Sequence, residues 1–139
     1  MSVKHVQSSL PLDAAAKIVD AALDAGRKNN VLPLAVAVLD SGGHLVAFKR
    51  EDGCGVLRFD IARGKAWGAL GMGMSTRAIR DRLKERVAFQ GALAAASDGK
   101  FVATPGGVLI LDAARGAAGQ GRQAPRGRGH ERAALPGAA

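Results

Sequence analysis

The sequence predicts an α+β fold in which an antiparallel sheet is flanked by helices. A helical stripe of apolar residues comes first, and two short apolar runs joined by a glycine turn follow. Further helical segments then precede a last apolar run. Strands joined by a tight turn are antiparallel, and helices interleaved with such strands indicate an α+β sheet, not a doubly wound one. A chain of 139 residues fits one domain with a sizeable core.

The first predicted element is an amphipathic helix within LPLDAAAKIVDAALDAGRKNN. Pro11 and Asp13 suit its first turn. Arg27 and Lys28 suit its last turn, where the helix dipole favours cations. Its apolar stripe at helical spacing consists of Leu12, Ala15, Ala16, Val19, Ala22, Leu23 and Gly26.

A β-hairpin is predicted next. The apolar run Leu34 to Leu39 stops at Asp-Ser-Gly-Gly, residues 40–43, and a second run continues from His44 to Lys49. Glycines in the turn supply the positive φ that a tight hairpin needs.

Two helices are predicted after the hairpin. The first lies in LRFDIARGKAWGALGMGM, where Gly64 and Gly68, four residues apart, indicate that another element packs closely on one face. Ser75 or Thr76 can cap the second helix. The apolar stripe of that second helix runs without a break through Ile79, Leu83, Val87 and Leu93.

Two further strands are predicted, a short one at Phe101 to Ala103 and a buried one at Val108 to Asp112. So small a sheet needs another strand after Asp112. Residues 118–125, Ala-Gly-Gln-Gly-Arg-Gln-Ala-Pro, have neither alternation nor β-forming residues, so they are not expected to supply it.

The net charge of +8 is typical of proteins that bind nucleic acid, but the positions of the charges argue against such binding here. Residues 115–139 hold five arginines against the single Glu131 and so supply +4 of it, leaving +4 spread over the other residues. The aromatic fraction is 4% and Tyr is absent, which leaves little for base stacking. We expect no nucleic-acid partner.

The single cysteine, Cys54, excludes an internal disulfide framework and fits a reducing compartment. The start MSVKHVQSSLP has no apolar signal-peptide core, and the longest apolar run, Val31 to Leu39, is too short to cross a membrane. A cytoplasmic protein without a membrane partner is therefore predicted.

Several segments in order resemble the GlcG/HbpS-like haem-binding family, which also forms the C-terminal domain of PduO-type corrinoid adenosyltransferases. The segments are LPLDAAAKIVDAALDAG, LAVAVLDSGGHLVAFKREDG, KAWGALGM, MSTRAI and TPGGVLILD. The resemblance implies a profilin- or PAS-like sheet flanked by helices. It also implies a haem or related tetrapyrrole ligand and self-association into dimers or larger oligomers.

Two other functions stay open. Family members encoded beside glycolate, glycerol or propanediol metabolism imply an accessory protein or enzyme that acts on a small carboxylate or related ligand. A structural oligomer without a ligand is the third alternative.

The end of the chain departs from the family pattern, in which a further strand and an Ala-rich helix follow. Residues 1–115 are therefore predicted to form one domain, and residues 116–139 an atypical tail that is disordered or poorly packed. HERAALPGAA is the only part that resembles the final helix. The Arg/Gly/Ala-rich composition leads to the hypothesis of a frameshift, which resequencing of the locus would test.

Four residues are candidates for ligand binding. His44, beside Gly43, could ligate haem iron or simply face water at a strand end. The resemblance implies a threonine at the haem site in some members, and Thr76 is the matching candidate, with helix capping as its alternative role. Arg50 and Lys65 could face an anionic group such as a propionate, or be surface charges.

Other donors and catalytic groups are weaker candidates. Met72 and Met74 are either soft haem ligands or core filler. Helix 1, credited with a haem histidine in some members, has no His here, while His5 and His130 lie near the two ends of the sequence. Cys54 has no neighbouring His, and the aspartates show no metal-ligand spacing, so no metal site is predicted. No catalytic constellation is visible, which favours a binding protein over an enzyme.

Overall fold

The computed structural model describes residues 1–111 and the backbone of residues 133–135. Four helices and a four-stranded sheet make up this part of the chain. In chain order the elements are α1 (Leu12–Lys28), β1 (Ala35–Leu39), β2 (Leu45–Arg50), α2 (Arg58–Met72), α3 (Thr76–Leu83), α4 (Val87–Ala96), β3 (Val108–Ile110) and β4 (Ala133–Leu135).

The strands are ordered β2-β1-β4-β3, and each neighbouring pair is antiparallel. Helices cover both faces of β1, and all five of its residues are buried. Val36 and Val38 pack with residues of α1, while Ala35, Ala37 and Leu39 face α2. The predicted α+β class, an antiparallel sheet flanked by helices, is confirmed.

Helix α1 and the hairpin form where the sequence predicts them. Arg27 and Lys28 occupy the last turn of α1. In the hairpin turn, Asp40 Oδ1 accepts hydrogen bonds from the backbone N–H groups of Gly42 and His44, both at 2.9 Å. Gly43 has a φ of 82°, so the turn uses the glycine where a side chain would be strained.

The close packing predicted from the glycines of α2 is also confirmed. A Cβ at Gly64 would lie 2.5 Å from Val102 Cγ2 and 2.9 Å from the carbonyl oxygen of Lys100. A Cβ at Gly68 would lie 3.2 Å from the ring of Phe101. The segment 100–102 therefore runs directly against the backbone of α2.

The single helix predicted over Ile79 to Leu93 is wrong, because the chain leaves helical geometry at Arg86 (φ −124°, ψ 58°). In a continuous helix the N–H of Val87 would bond to the carbonyl of Leu83. Instead that carbonyl accepts the N–H of Arg86 at 2.8 Å and the side-chain amide of Gln90 at 2.6 Å. These two bonds satisfy the carbonyl of Leu83 at the end of α3, so α4 can start in a new direction.

The strand predictions near residues 101–112 need two corrections. Phe101 to Ala103 is not a strand, because the segment bonds to the carbonyl of Gly64 in α2 through the N–H of Val102 and joins no sheet. The strand from Val108 ends at Ile110 and is not fully buried, since β3 lies at an edge of the sheet and Val108 is 40% exposed.

The additional strand that the sheet needs after Asp112 is β4, between β1 and β3. The comparison of HERAALPGAA with a helix is wrong at Ala133–Leu135, because the backbone there pairs with both neighbouring strands. The rest of 116–139, the domain boundary at 115 and the frameshift hypothesis concern residues outside those described.

The face of α2 that meets the sheet carries one long polar side chain among small ones. Ala62, Ala66 and Ala69 are buried there, and Lys65 beside them is only 1% exposed. Among the described residues, no carboxylate lies within salt-bridge distance of its ammonium. Burial, together with the positive charge of Arg58, lowers the pKa of Lys65 from its ordinary value of 10.5.

The glycine packing of α2 leads to a paired prediction. Gly64→Ala forces a Cβ into Val102 and Lys100 and should lower the free energy of unfolding by about 1–3 kcal/mol. The control is Gly91→Ala in α4, where a Cβ meets nothing within 4 Å. It should raise the free energy of unfolding by up to about 1 kcal/mol through helix propensity. Urea unfolding of both variants would show opposite shifts, and equal shifts would refute the packing argument.

The buried lysine leads to a second prediction. Lys65→Met keeps the length and removes the charge, so we expect a higher urea midpoint at neutral pH. The folded-state pKa is below 10.5, so the wild-type protein binds fewer protons folded than unfolded and gains stability as pH rises toward 10.5. The difference in urea midpoint between Lys65→Met and the wild-type protein should therefore become smaller as the pH rises toward 10.5. Lys17→Met, at an exposed position of α1, serves as control. A lower midpoint for Lys65→Met at neutral pH would mean that the ammonium stabilises the fold.

Candidate functional site

An open groove of about 330 Å³ lies between the C-terminal end of α2 and helices α3 and α4. This volume is at the lower end of the range, about 300–1,000 Å³, of small-molecule sites. We call it the α3–α4 groove, and the described residues that line it are Met72, Met74, Ile79, Arg82, Leu83, Arg86 and Phe89.

The two methionines stand on either side of the residue that ends α2. Gly73 adopts the left-handed conformation (φ 68°, ψ 24°), which is the usual way for a glycine to terminate a helix. The N–H of Met74 then bonds back to the carbonyl of Ala69 at 3.2 Å. Met72 and Met74 are both half-buried and pack on the cluster formed by Ile79, Leu83 and Phe101.

Helix α3 supplies the apolar floor of the groove. Ser75 is its N-cap, and its hydroxyl accepts the N–H of Ala78 at 3.3 Å. Ile79 and Leu83, one helical turn apart, are 1% and 5% exposed. The helix is therefore anchored to the core by the same face that closes the groove.

Two arginines add positive charge to this apolar surface. Arg82 and Arg86 are exposed, and neither forms a salt bridge with a carboxylate of the described residues. The guanidinium carbon of Arg86 lies 4.5 Å from the ring centroid of Phe89, a cation–π distance. Both guanidinium groups are thus available to an anionic ligand.

Thr76, a predicted ligand residue, has a structural contact instead of a free hydroxyl. The residue is fully buried, and its Oγ1 accepts the N–H of Gly107 at 2.7 Å. Its own N–H donates to the carbonyl of Gly107 at 2.9 Å. Thr76 therefore joins the start of α3 to the segment before β3, and Ser75 rather than Thr76 caps the helix.

Gly107 lies against the backbone of Lys65 as well as against Thr76. A Cβ at Gly107 would collide with the backbone carbonyl of Lys65 and lie 2.9 Å from the Thr76 methyl group. The structure thus brings these two predicted residues close together, in the interior.

His44 lies at the exposed hairpin tip, with 80% of its side chain accessible. Its Nδ1 is 3.2 Å from Asp40 Oδ1, which leaves Nε2 toward solvent. The space next to Gly43 is taken by Trp67, whose indole would lie 3.1 Å from a Cβ at that position.

Arg50 lies at the opposite end of β2 from His44. An extended strand rises about 3.3 Å per residue, so the two residues are roughly 20 Å apart. It lines an open basin with Arg27, Pro33, Glu51 and Asp52. Arg27 and Glu51 form a salt bridge there at 2.8 Å. The described residues of the basin include two arginines and two carboxylates, so their charges balance.

The four predicted site residues therefore do not converge on one site. Arg82, Arg86 and Phe89 were not among the predicted site residues, although two arginines four residues apart beside an apolar stripe are a signal visible in the sequence. Met72 and Met74, predicted as either ligands or core filler, line the groove and also contact the core.

Two other features bear on the site. The described residues contain no group of three or more His, Cys, Asp and Glu side chains that could hold a metal ion. None of the helices described is long and apolar enough to cross a membrane.

Three solved structures have the same fold as this chain. A double mutant of Streptomyces reticuli HbpS superposes with a TM-score of 0.68 at 24% identity, covering 98% of this chain and 77% of that one. Klebsiella pneumoniae protein ORFY gives 0.67 at 20% identity, with coverages of 99% and 84%. A PduOC:heme complex gives 0.67 at 22% identity, with coverages of 94% and 83%.

No curated protein sequence matches the chain. The family model described as haem degrading protein HbpS-like matches residues 10–120. That range holds every segment on which the resemblance was based, together with the whole α3–α4 groove. The chain therefore belongs to the HbpS-like family.

Proposed function

We propose that the protein binds haem or a related tetrapyrrole in the α3–α4 groove. The observation that carries the proposal is the combination of apolar walls, two thioethers and two arginines without a salt-bridge partner among the described residues. The family description names haem degradation, and one structure of the same fold is a heme complex, which supports this ligand class.

The chemistry of the groove matches the chemistry of haem. A haem is a flat apolar ring with two propionates at one edge, so it needs an apolar slot and cationic partners. Ile79, Leu83 and Phe89 would contact the ring, while Arg82 and Arg86 would bind the propionates through their planar, permanently charged guanidinium groups. Because the groove is small, one edge of the ring would stay in solvent.

When bound, haem would supply an iron atom that exchanges electrons. The protein's own residues would bind and orient the ring, and the apolar floor formed by Ile79 and Leu83 would exclude water from its inner face.

The other functions have less support in the described residues. The basin at Arg50 has balanced charges, which weakens it as a site for a small carboxylate. His44, Thr76 and Lys65 remain candidates that a binding assay can compare with the groove. Self-association and cytoplasmic localisation stay predictions.

The proposal predicts a charge-dependent hemin affinity. Replacing both arginines, Arg82→Gln with Arg86→Gln, should raise the Kd for hemin by about tenfold, because exposed charge pairs contribute about 0.2–1 kcal/mol each. Titration followed by the Soret band measures this. The control is Arg80→Gln, since Arg80 lies on α3, outside the groove, and pairs with Asp81 at 2.8 Å.

Two results would contradict the proposal. A wild-type protein that leaves the hemin spectrum unchanged does not bind the ligand. An equal loss of affinity in Arg80→Gln would indicate general electrostatic attraction rather than a site.

A further inference from the structure

We propose that a thioether of the Met72–Met74 pair, and not the imidazole of His5 or His44, is the protein ligand of the haem iron. The inference rests on the proposed function, because it concerns the same groove. It assigns a role to two residues that also serve as core packing.

The donors available in the groove lead to this conclusion. Of the seven described residues that line the groove, only Met72 and Met74 carry an atom that can coordinate iron. The side chains of Ile79, Leu83 and Phe89 are hydrocarbon. The guanidinium groups of Arg82 and Arg86 stay protonated and cannot coordinate a metal.

The histidines of the described residues are elsewhere. His5 is exposed in the segment before α1, and α1 itself contains no histidine. His44 is at the hairpin tip, beside Asp40, and does not line the groove. The third histidine, His130, lies outside the described residues.

The local backbone favours the methionines as ligands. Gly73 turns the chain between them, so both side chains meet the same apolar cluster from the end of α2. Their unbranched side chains are flexible and can adjust a sulfur to a ligand without moving the helix.

Thioether ligation has a measurable consequence beyond affinity. Methionine as an axial ligand raises the reduction potential of haem iron. Loss of the thioether should therefore lower the midpoint potential of the bound haem. A methionine that only packs would leave the reduction potential unchanged when leucine, which keeps the apolar volume, replaces it.

The experiment compares two probes on the full chain: hemin and metal-free protoporphyrin IX. Met72→Leu, Met74→Leu and the double variant keep the apolar volume and remove the sulfur. Protoporphyrin IX has no iron, so its binding reports whether the groove is intact. His44→Ala is the control for the alternative ligand.

We expect the double leucine variant to bind hemin at least about tenfold more weakly, which is the minimum cost of losing even an outer partner of a metal ligand. Its Soret band should shift and its midpoint potential should fall. Protoporphyrin IX affinity should stay within about twofold of wild type, which is under 0.5 kcal/mol. His44→Ala should leave all four measurements unchanged.

The inference is overturned if the double variant keeps the wild-type hemin spectrum and potential, or if His44→Ala removes the iron-dependent affinity. A protein that binds neither probe would overturn the proposed function itself and this inference with it. Equal weakening of both probes in the double variant would assign the methionines to packing and overturn the ligand role alone.

Discussion

The close packing of α2 against the central strand β1 is the contact on which the other parts of the structure depend. Alanines of both elements meet there, so the helix axis lies close to the sheet. On another face of α2, Gly64 and Gly68 leave room for residues 100–102 to pack directly against the helix backbone. Because α2 is held on both sides, the position of its C-terminal end is fixed, and with it the position of Met72.

The α3–α4 groove exists because the chain changes direction twice beyond that end. Gly73 ends α2 in a left-handed conformation, and the bonds between Thr76 and Gly107 join the start of α3 to the segment before β3. At Arg86 the chain turns again, and α4 brings Phe89 to the opposite wall. Hydrogen bonds of Thr76 and Gln90, two residues that do not line the groove, thus fix its walls.

The sequence predicted the elements whose signals are local. Helix α1 and the hairpin follow from apolar spacing and from the glycines of the turn. The break at Arg86 was not predictable, because KERV contains neither Gly nor Pro and the break depends on the side chain of Gln90. Since the groove arises from that break, the position of Phe89 opposite the two arginines could not be predicted beforehand. Ser75 and Thr76 were equivalent as caps in sequence, and only the distant Gly107 distinguishes them.

The contact between Arg86 and Phe89 has a consequence for the surface of the groove. The guanidinium lies over the aromatic ring and covers part of a surface that would otherwise be bare hydrocarbon. In the proposed binding mode, a propionate that pairs with Arg86 would draw the guanidinium away from the ring, and the flat face of the ligand would cover the ring in its place.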